Sequence, residues 1–328
     1  MPRKKSSKII SMAIFASASL LAFGSPAIGN QEAKPSASKD REIVVIGQKE
    51  RLAEIRELIV SQFNVSGGSK QTGQYPRFAA PVCPSVAGLS ERQSSAIEDR
   101  IRQVAAMANI PVAVDKCSPN LFVALIEDGK AEIQLLRKKK NRLFETIPHW
   151  ERDALEESGG PVYTWKATHT VGSDSGHNAS AGTFTFMAGA NGAGLGPALG
   201  GSTTNGQTSH VKSKISRSTI EGIAYSYLLI ESKSLKGISA AQLADYAAMV
   251  SLIDIKVGGD QQVPDGSILS LFAETEDETL KPTSLSSGDL LLLRGLYNVP
   301  ANVKASLQRS AMIHSMSEGL KQSDRAEQ

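Results

Sequence analysis

The chain has 328 residues, 41% hydrophobic and 21% charged, with 36 Lys and Arg against 33 Asp and Glu. Four of the basic residues, Arg3, Lys4, Lys5 and Lys8, fall in positions 1–29, which hold no acid, so the rest of the chain carries 32 basic against 33 acidic groups, a net charge of −1. A balance so close to zero excludes the basic field of a nucleic-acid-binding protein.

Residues 1–29 have the layout of a secretory signal peptide: a basic head, an apolar stretch from Ile9 to Phe23, and small residues with cleavage expected after Ala27 or Gly29. The apolar stretch is short for a bilayer span, and no Cys stands near it to carry a lipid anchor. No later segment has the length and apolarity of a stable membrane span. The expected location is therefore the periplasm or the outside of the cell. In that setting the two cysteines, Cys83 and Cys117, read as a disulfide. A cysteine nucleophile is the weaker reading, because neither Cys adjoins a His and each has a Pro close behind it (Pro84, Pro119).

Residues 30–41 are polar and without apolar periodicity, a flexible lead. A single α/β domain is expected over 42–320. "EIVVIG" (42–47) is a short β-branched run, and 49–63 places Leu52, Ile55, Ile59 and Phe63 on one helical face. "RFAAPVCP" (77–84) reads as extended. Ser90 and Gln93 form a capping-box pattern before a stripe of Ile97, Ile101, Val104, Ala105 and Ala108, with Asn109 as a left-handed stop. "PVAVDKC" (111–117) and "LFVALIED" (121–128) read as strands, so a Cys83–Cys117 bridge would staple a strand–helix–strand unit. Residues 130–147 read as one helix, with "RKKKNR" (137–142) a solvated charged face. "VYTWKAT" (162–168) is strand-like.

Residues 172–210 are rich in Gly, Ser, Asn and Thr and read as a long mobile insertion. Their glycines lack the Gly-Lys-Ser/Thr and the strand–helix context of a phosphate loop, so no cofactor is assigned. Order is expected to return from "SRSTIEGIAYSYLLIES" (216–232), which contains the strand-like run "YLLIES" (227–232). A second capping box, Ser239 with Gln242, starts a helix carrying Leu243, Ala247, Met249 and Val250 inward. Ser286 caps a further helix with Leu290, Leu293 and Leu296. A last helix runs to about 320, and 321–328 form a frayed tail.

The five histidines, His149, His169, His177, His210 and His314, make no i, i+4 pair of the kind that binds zinc on a helix. No Gly-x-Ser-x-Gly elbow is present.

Set in order, "YLLIES", "GISAAQLADYAAMVSL", "GSILSLF" and "LSSGDLLLLRGLY", covering about residues 225–298, resemble the closing third of matrixin-like zinc metallopeptidases. In that family a strand precedes an HExxH helix, a Ser-Ile-Met turn lies under the metal, and a Leu-Thr-x-x-Asp helix ends in Leu-Tyr. Ser267, Ile268 and Leu269 stand at the turn, and Leu285, Ser286, Asp289, Leu296 and Tyr297 match the final helix. The metal-binding positions are occupied by Ala244 and Ala248, which have no lone pair to give, and Asp245 stands where the general base would be. The chain is also similar to uncharacterised secreted alphaproteobacterial proteins with the same Cys-Pro…Cys-x-Pro-Asn pattern. The resemblance implies a mixed sheet with flanking helices, a zincin-like C-terminal half without its metal site, and a non-catalytic exported binding or scaffold protein with a protein or peptide ligand. The alternative is a secreted hydrolase using Asp245 with His169, His177 or His210 from the mobile segment. A second resemblance, of "REIVVIGQKE" (41–50) to the segment after the signal peptide of TonB-dependent receptors, implies a weak TonB-like contact, but that family's outer-membrane barrel is lacking and the preferred reading of the stretch is a first strand of the domain.

Overall fold

In the computed structural model the described residues are 48–66, 68–69, 72–173, 215–257, 263–264, 266–273 and 281–326. The signal peptide, the flexible lead, residues 41–47 of the TonB-like stretch, and the Gly-rich insertion beyond residue 173, with His177 and His210, lie outside them.

The sheet is built on its longest strand. Helix α1 (Gln48–Gln62) leads to a short strand β1 (Arg77–Phe78) and to β2 (Pro84–Ala87). Helix α2 (Glu91–Met107) crosses to β3 (Leu121–Ile126), the kind of connection a parallel pair needs. Helices α3 (Gly129–Lys139) and α4 (His149–Glu157), with a 3-10 turn at Asn141–Phe144 between them, lead to β4 (Val162–Gly172). Strand β5 (Thr219–Glu231) follows, then α5 (Ala240–Leu252), a 3-10 turn at Ile268–Phe272, α6 (Ser287–Asn298) and α7 (Ala305–Ala326).

Strand β5 takes β4 antiparallel along one edge, from Val162 opposite Ile230 to Gly172 opposite Thr219. Its other edge takes two strands in parallel, β1 at Gly222–Ile223 and β3 at Ser226–Glu231. β2 adds to β3 in parallel, and beyond it Val82 makes a single parallel bridge to Val112. The molecule is thus a mixed α/β fold with a parallel-dominated sheet and one antiparallel strand.

Each face of the sheet has its own core. Leu228 and Ile230 of β5 and Leu121 and Val123 of β3 point to the face covered by α2 and α5, with α1, α6 and α7 packed beyond. On the opposite face Tyr163, Trp165, Tyr227 and Leu229 meet Ile133, Leu143, Phe144 and Ile147 of the α3–α4 layer. That layer is held by stacked rings: Trp165 lies 4.9 Å from Phe144 and 4.8 Å from Tyr227, which lies 5.2 Å from Phe122. A β-bulge interrupts the alternation where Ala167 faces Tyr225 but Thr168 faces Ile223, which leaves Ala224 as the extra residue. Close packing has a local requirement at Gly129, where a Cβ would come within 1.8 Å of the Tyr163 ring.

α5 is the central helix. Its start is fixed by Ser239, whose hydroxyl accepts the Gln242 N–H while Gln242 Oε1 accepts the Ser239 N–H. Every residue from Leu243 to Leu252 is buried, as expected of a helix that is apolar almost all round.

Four local expectations change. Residues 111–117 make no strand: beyond the bridge at Val112 the chain turns through Lys116 at a φ of 61° and into the disulfide. Pro84 opens β2 rather than ending an extended run, a position that needs no amide hydrogen. The helix expected over 130–147 ends at Lys139, since Lys140 leaves helical geometry at a φ of −136°, and a separate helix starts at His149. α7 continues to Ala326, past the expected boundary at 320. Cys83 and Cys117 are bonded, with Cα atoms 6.1 Å apart. Among the described residues no helix is long and apolar enough to cross a membrane.

Candidate functional site

Strand β4 has one partner and two edges. Among the described residues it pairs only with β5. The Glu231 N–H donates to Pro161 O at 2.9 Å, so 161 and 231 form a hydrogen-bonded pair. Antiparallel alternation then gives the ladder bonds to Tyr163–Leu229 and Trp165–Tyr227. It turns the main-chain N–H and C=O of Val162, Thr164 and Lys166 towards the free edge.

A pocket of about 710 Å³ opens along this edge. One wall is β4 from Val162 to Thr168, and another is α4 with the residues before it, including Ile147, Trp150, Glu151 and Leu155. The remaining wall is made by Asn64–Ser66 and Asp254–Val257. These two short segments clasp one another where α1 and α5 end: Asn64 N–H donates to Asp254 O, and Lys256 N–H to Gln62 O, both at 2.9 Å. Ser66 reaches β4 through its hydroxyl, 3.4 Å from Thr168 Oγ1. Trp150 is 62% exposed, a large apolar surface at the pocket wall.

Ionisable groups converge here. Lys166 lies opposite Ser226, is only 3% exposed, and donates from Nζ to Thr164 Oγ1 at 2.8 Å. The Thr164 hydroxyl itself donates to Tyr227 O, so its oxygen is oriented as an acceptor for the amine. Burial pushes the Lys166 amine down to about 8, against the pull of the Asp254 charge. Asp254 accepts from Asn64 Nδ2 at 2.9 Å. Its carboxyl is pushed up by burial, a rise opposed by Lys166 and by Asn64. Glu151 is pushed up as well, first by burial and then by repulsion from Asp254, with Lys256 acting against both. Lys166 and Asp254 feel one another's charge but form no ion pair within 4.0 Å.

The residues singled out from sequence lie elsewhere. Asp245 is 1% exposed, and both its oxygens are engaged: Arg100 Nε donates to Oδ1 at 2.6 Å and Leu285 N–H to Oδ2 at 2.8 Å. Its carboxylate is thus a tie between α5, α2 and the lead into α6. Ala244 and Ala248 are buried in the main core. His169 sits on β4 opposite Gly222, beyond the bulge, and burial lowers its pKa while Glu221 and a bond to the Gly222 backbone raise it. Among the described residues no group of three or more His, Cys, Asp or Glu is placed to hold a metal ion.

Sequence reasoning missed Lys166 and Asp254. The signal for Lys166 was present: in "VYTWKAT" strand alternation puts it on the side of Val162 and Thr164, so a charge falls on an inward register position. Asp254 carried none, because its place depends on where α5 ends.

The fold and site define an α/β protein with a charged groove along the free edge of its sheet. Comparison of the chain with protein-family models, with curated proteins and with solved structures finds no match.

Proposed function

We propose that this is an exported, non-catalytic binding protein on a degenerate metallopeptidase-like frame, and that it takes an extended peptide along the free edge of β4. The observation that carries the reading is the groove itself, where the outward main-chain groups of Val162, Thr164 and Lys166 line a pocket of about 710 Å³. An added strand would satisfy those groups, and alternate side chains of the ligand would enter the pocket. The frame is supported by the relation of α5 to the turn at Ile268–Phe272. Tyr246 meets Phe272 edge-to-face at 4.7 Å, and Asp289 of α6 accepts from both the Ser267 hydroxyl and the Ile268 N–H. Helix and turn therefore pack together, which supports the frame, although Ala244 and Ala248 lie buried in the core rather than facing a cleft. Export is supported by the Cys83–Cys117 disulfide.

Hydrogen exchange with a β-prone hexapeptide tests the binding site. Added protection should appear at the amides of Val162, Thr164 and Lys166. Binding with protection confined to another face would overturn the site. Elemental analysis of the purified mature protein tests the frame: one tightly held zinc per chain would overturn the non-catalytic reading.

A further inference from the structure

We propose that the Lys166 amine is the anchor for a carboxylate on the ligand of the β4 groove. The inference rests on the groove reading and adds to it the charge of the ligand. An ammonium group has three N–H donors, and a buried one needs acceptors or a counter-charge to offset its desolvation. Lys166 is 3% exposed, and among the described residues its amine has one acceptor, Thr164 Oγ1. The nearest charge that acts on it, Asp254, is bound by Asn64 and stands outside ion-pair distance. Lys166 is thus a lining residue of the groove whose amine has donors to spare. Its depressed basicity has the same origin, an ammonium in a poorly solvated place that a carboxylate would stabilise.

The position on the strand narrows the ligand further. Lys166 stands on β4 between the clasp at Ser66–Thr168 and the α4 wall. A strand paired with β4 could bring either its terminal carboxylate or an Asp or Glu side chain to the amine. The shared chemistry is one carboxylate on an otherwise apolar or neutral extended peptide. A strongly acidic peptide fits less well, because Asp254 and Glu151 face the same pocket.

Four fluorescein-labelled peptides of sequence Val-Thr-Val-X-Val-Thr separate the cases, with X as Glu or Gln and the C-terminus free or amidated. Anisotropy at pH 7 should show at least one carboxylate-bearing peptide binding about tenfold more tightly than the neutral Gln amide. The Glu amide and the Gln free acid tell which source of carboxylate is used. Lys166→Met, or Lys166→Gln if that variant folds better by circular dichroism, should abolish the preference. Equal binding of charged and neutral peptides, or a preference that survives both variants, would overturn the anchor. If no peptide binds, the edge-strand reading has failed, and the anchor is judged on wild-type protein with N-acetylvaline alone. That small carboxylate at millimolar concentration should slow acetylation of Lys166 by acetic anhydride several-fold relative to Lys236, an exposed lysine outside the pocket, and equal rates with and without it would overturn the inference.

Discussion

Two buried ionic residues of this protein have opposite roles, and their neighbours decide which. Asp245 is matched: one charged partner, one main-chain donor, and no exposure to the groove. Asp245→Ala should lower stability by about 3 kcal/mol, since it orphans the Leu285 N–H and leaves Arg100 without its partner. Peptide binding in the groove should be unchanged, and denaturant titration alongside anisotropy reads both. Lys166 is unmatched. Its pKa falls from the free value of 10.5 to about 8, so between those values the unfolded chain binds more protons than the folded one. Stability contributed at this position therefore rises with pH from about 8 to 10.5 and is lowest below that window. At ~1.4 kcal/mol per pH unit the cost near pH 7 is about 3 kcal/mol. Lys166→Met should remove it, raising stability at pH 7 and leaving little difference at pH 10.5. Tyr227, Tyr246 and Tyr297, all pushed up by burial, act against the fold at high pH in both proteins and cancel in that comparison.

At the level of elements, the turn at Ile268–Phe272 and the start of α6 are one unit held by Asp289. Its carboxylate accepts from the Ser267 hydroxyl, the Ile268 N–H, and the N–H and hydroxyl of Ser286, while Ser286 Oγ accepts the Asp289 N–H. Asp289→Ala removes four hydrogen bonds to one buried group and should cost about 3 kcal/mol. Exchange of the Ile268 amide should rise more than that of the α5 amides, which would locate the loss in the turn. The cap at Ser286 was readable as a local pattern, as were those at Ser90 and Ser239, because a cap needs only its own four residues. The stripe of α2 was readable for the same reason: Ile97, Ile101, Val104, Ala105 and Ala108 are all 2% exposed or less. Elements that depend on distant partners were not. Residues 111–117 have the β-branched content of a strand, but the disulfide and Lys116 draw them into a loop after one bridge. Asp254, the acid whose charge acts on Lys166, lies 88 positions away, in a segment with no motif of its own.

At the scale of the molecule the described residues form two cores on one sheet, and the disulfide ties the margin of the larger. Cys83 is buried at the start of β2, and Cys117 lies 34 residues on, ahead of β3. The bridge thus encloses β2, α2 and the loop that returns to the sheet. Neighbouring bonds repeat the same link, since Asn120 Oδ1 accepts the Cys83 N–H and Cys83 O accepts the N–H groups of Asn120 and Leu121. Because these bonds hold the native geometry independently, reduction should leave the fold in place under mild conditions and act mainly by enlarging the unfolded ensemble. Closure of a loop of 34 residues corresponds to roughly 4 kcal/mol in the chain-entropy model. The reduced protein, or Cys83→Ser with Cys117→Ser, should accordingly unfold at a lower denaturant midpoint with native-like circular dichroism before the transition. Thiol titration of the unfolded, unreduced mature protein should give no reactive sulfhydryl. Two thiols per chain, or an unchanged midpoint on reduction, would show that the bond is not part of the native protein.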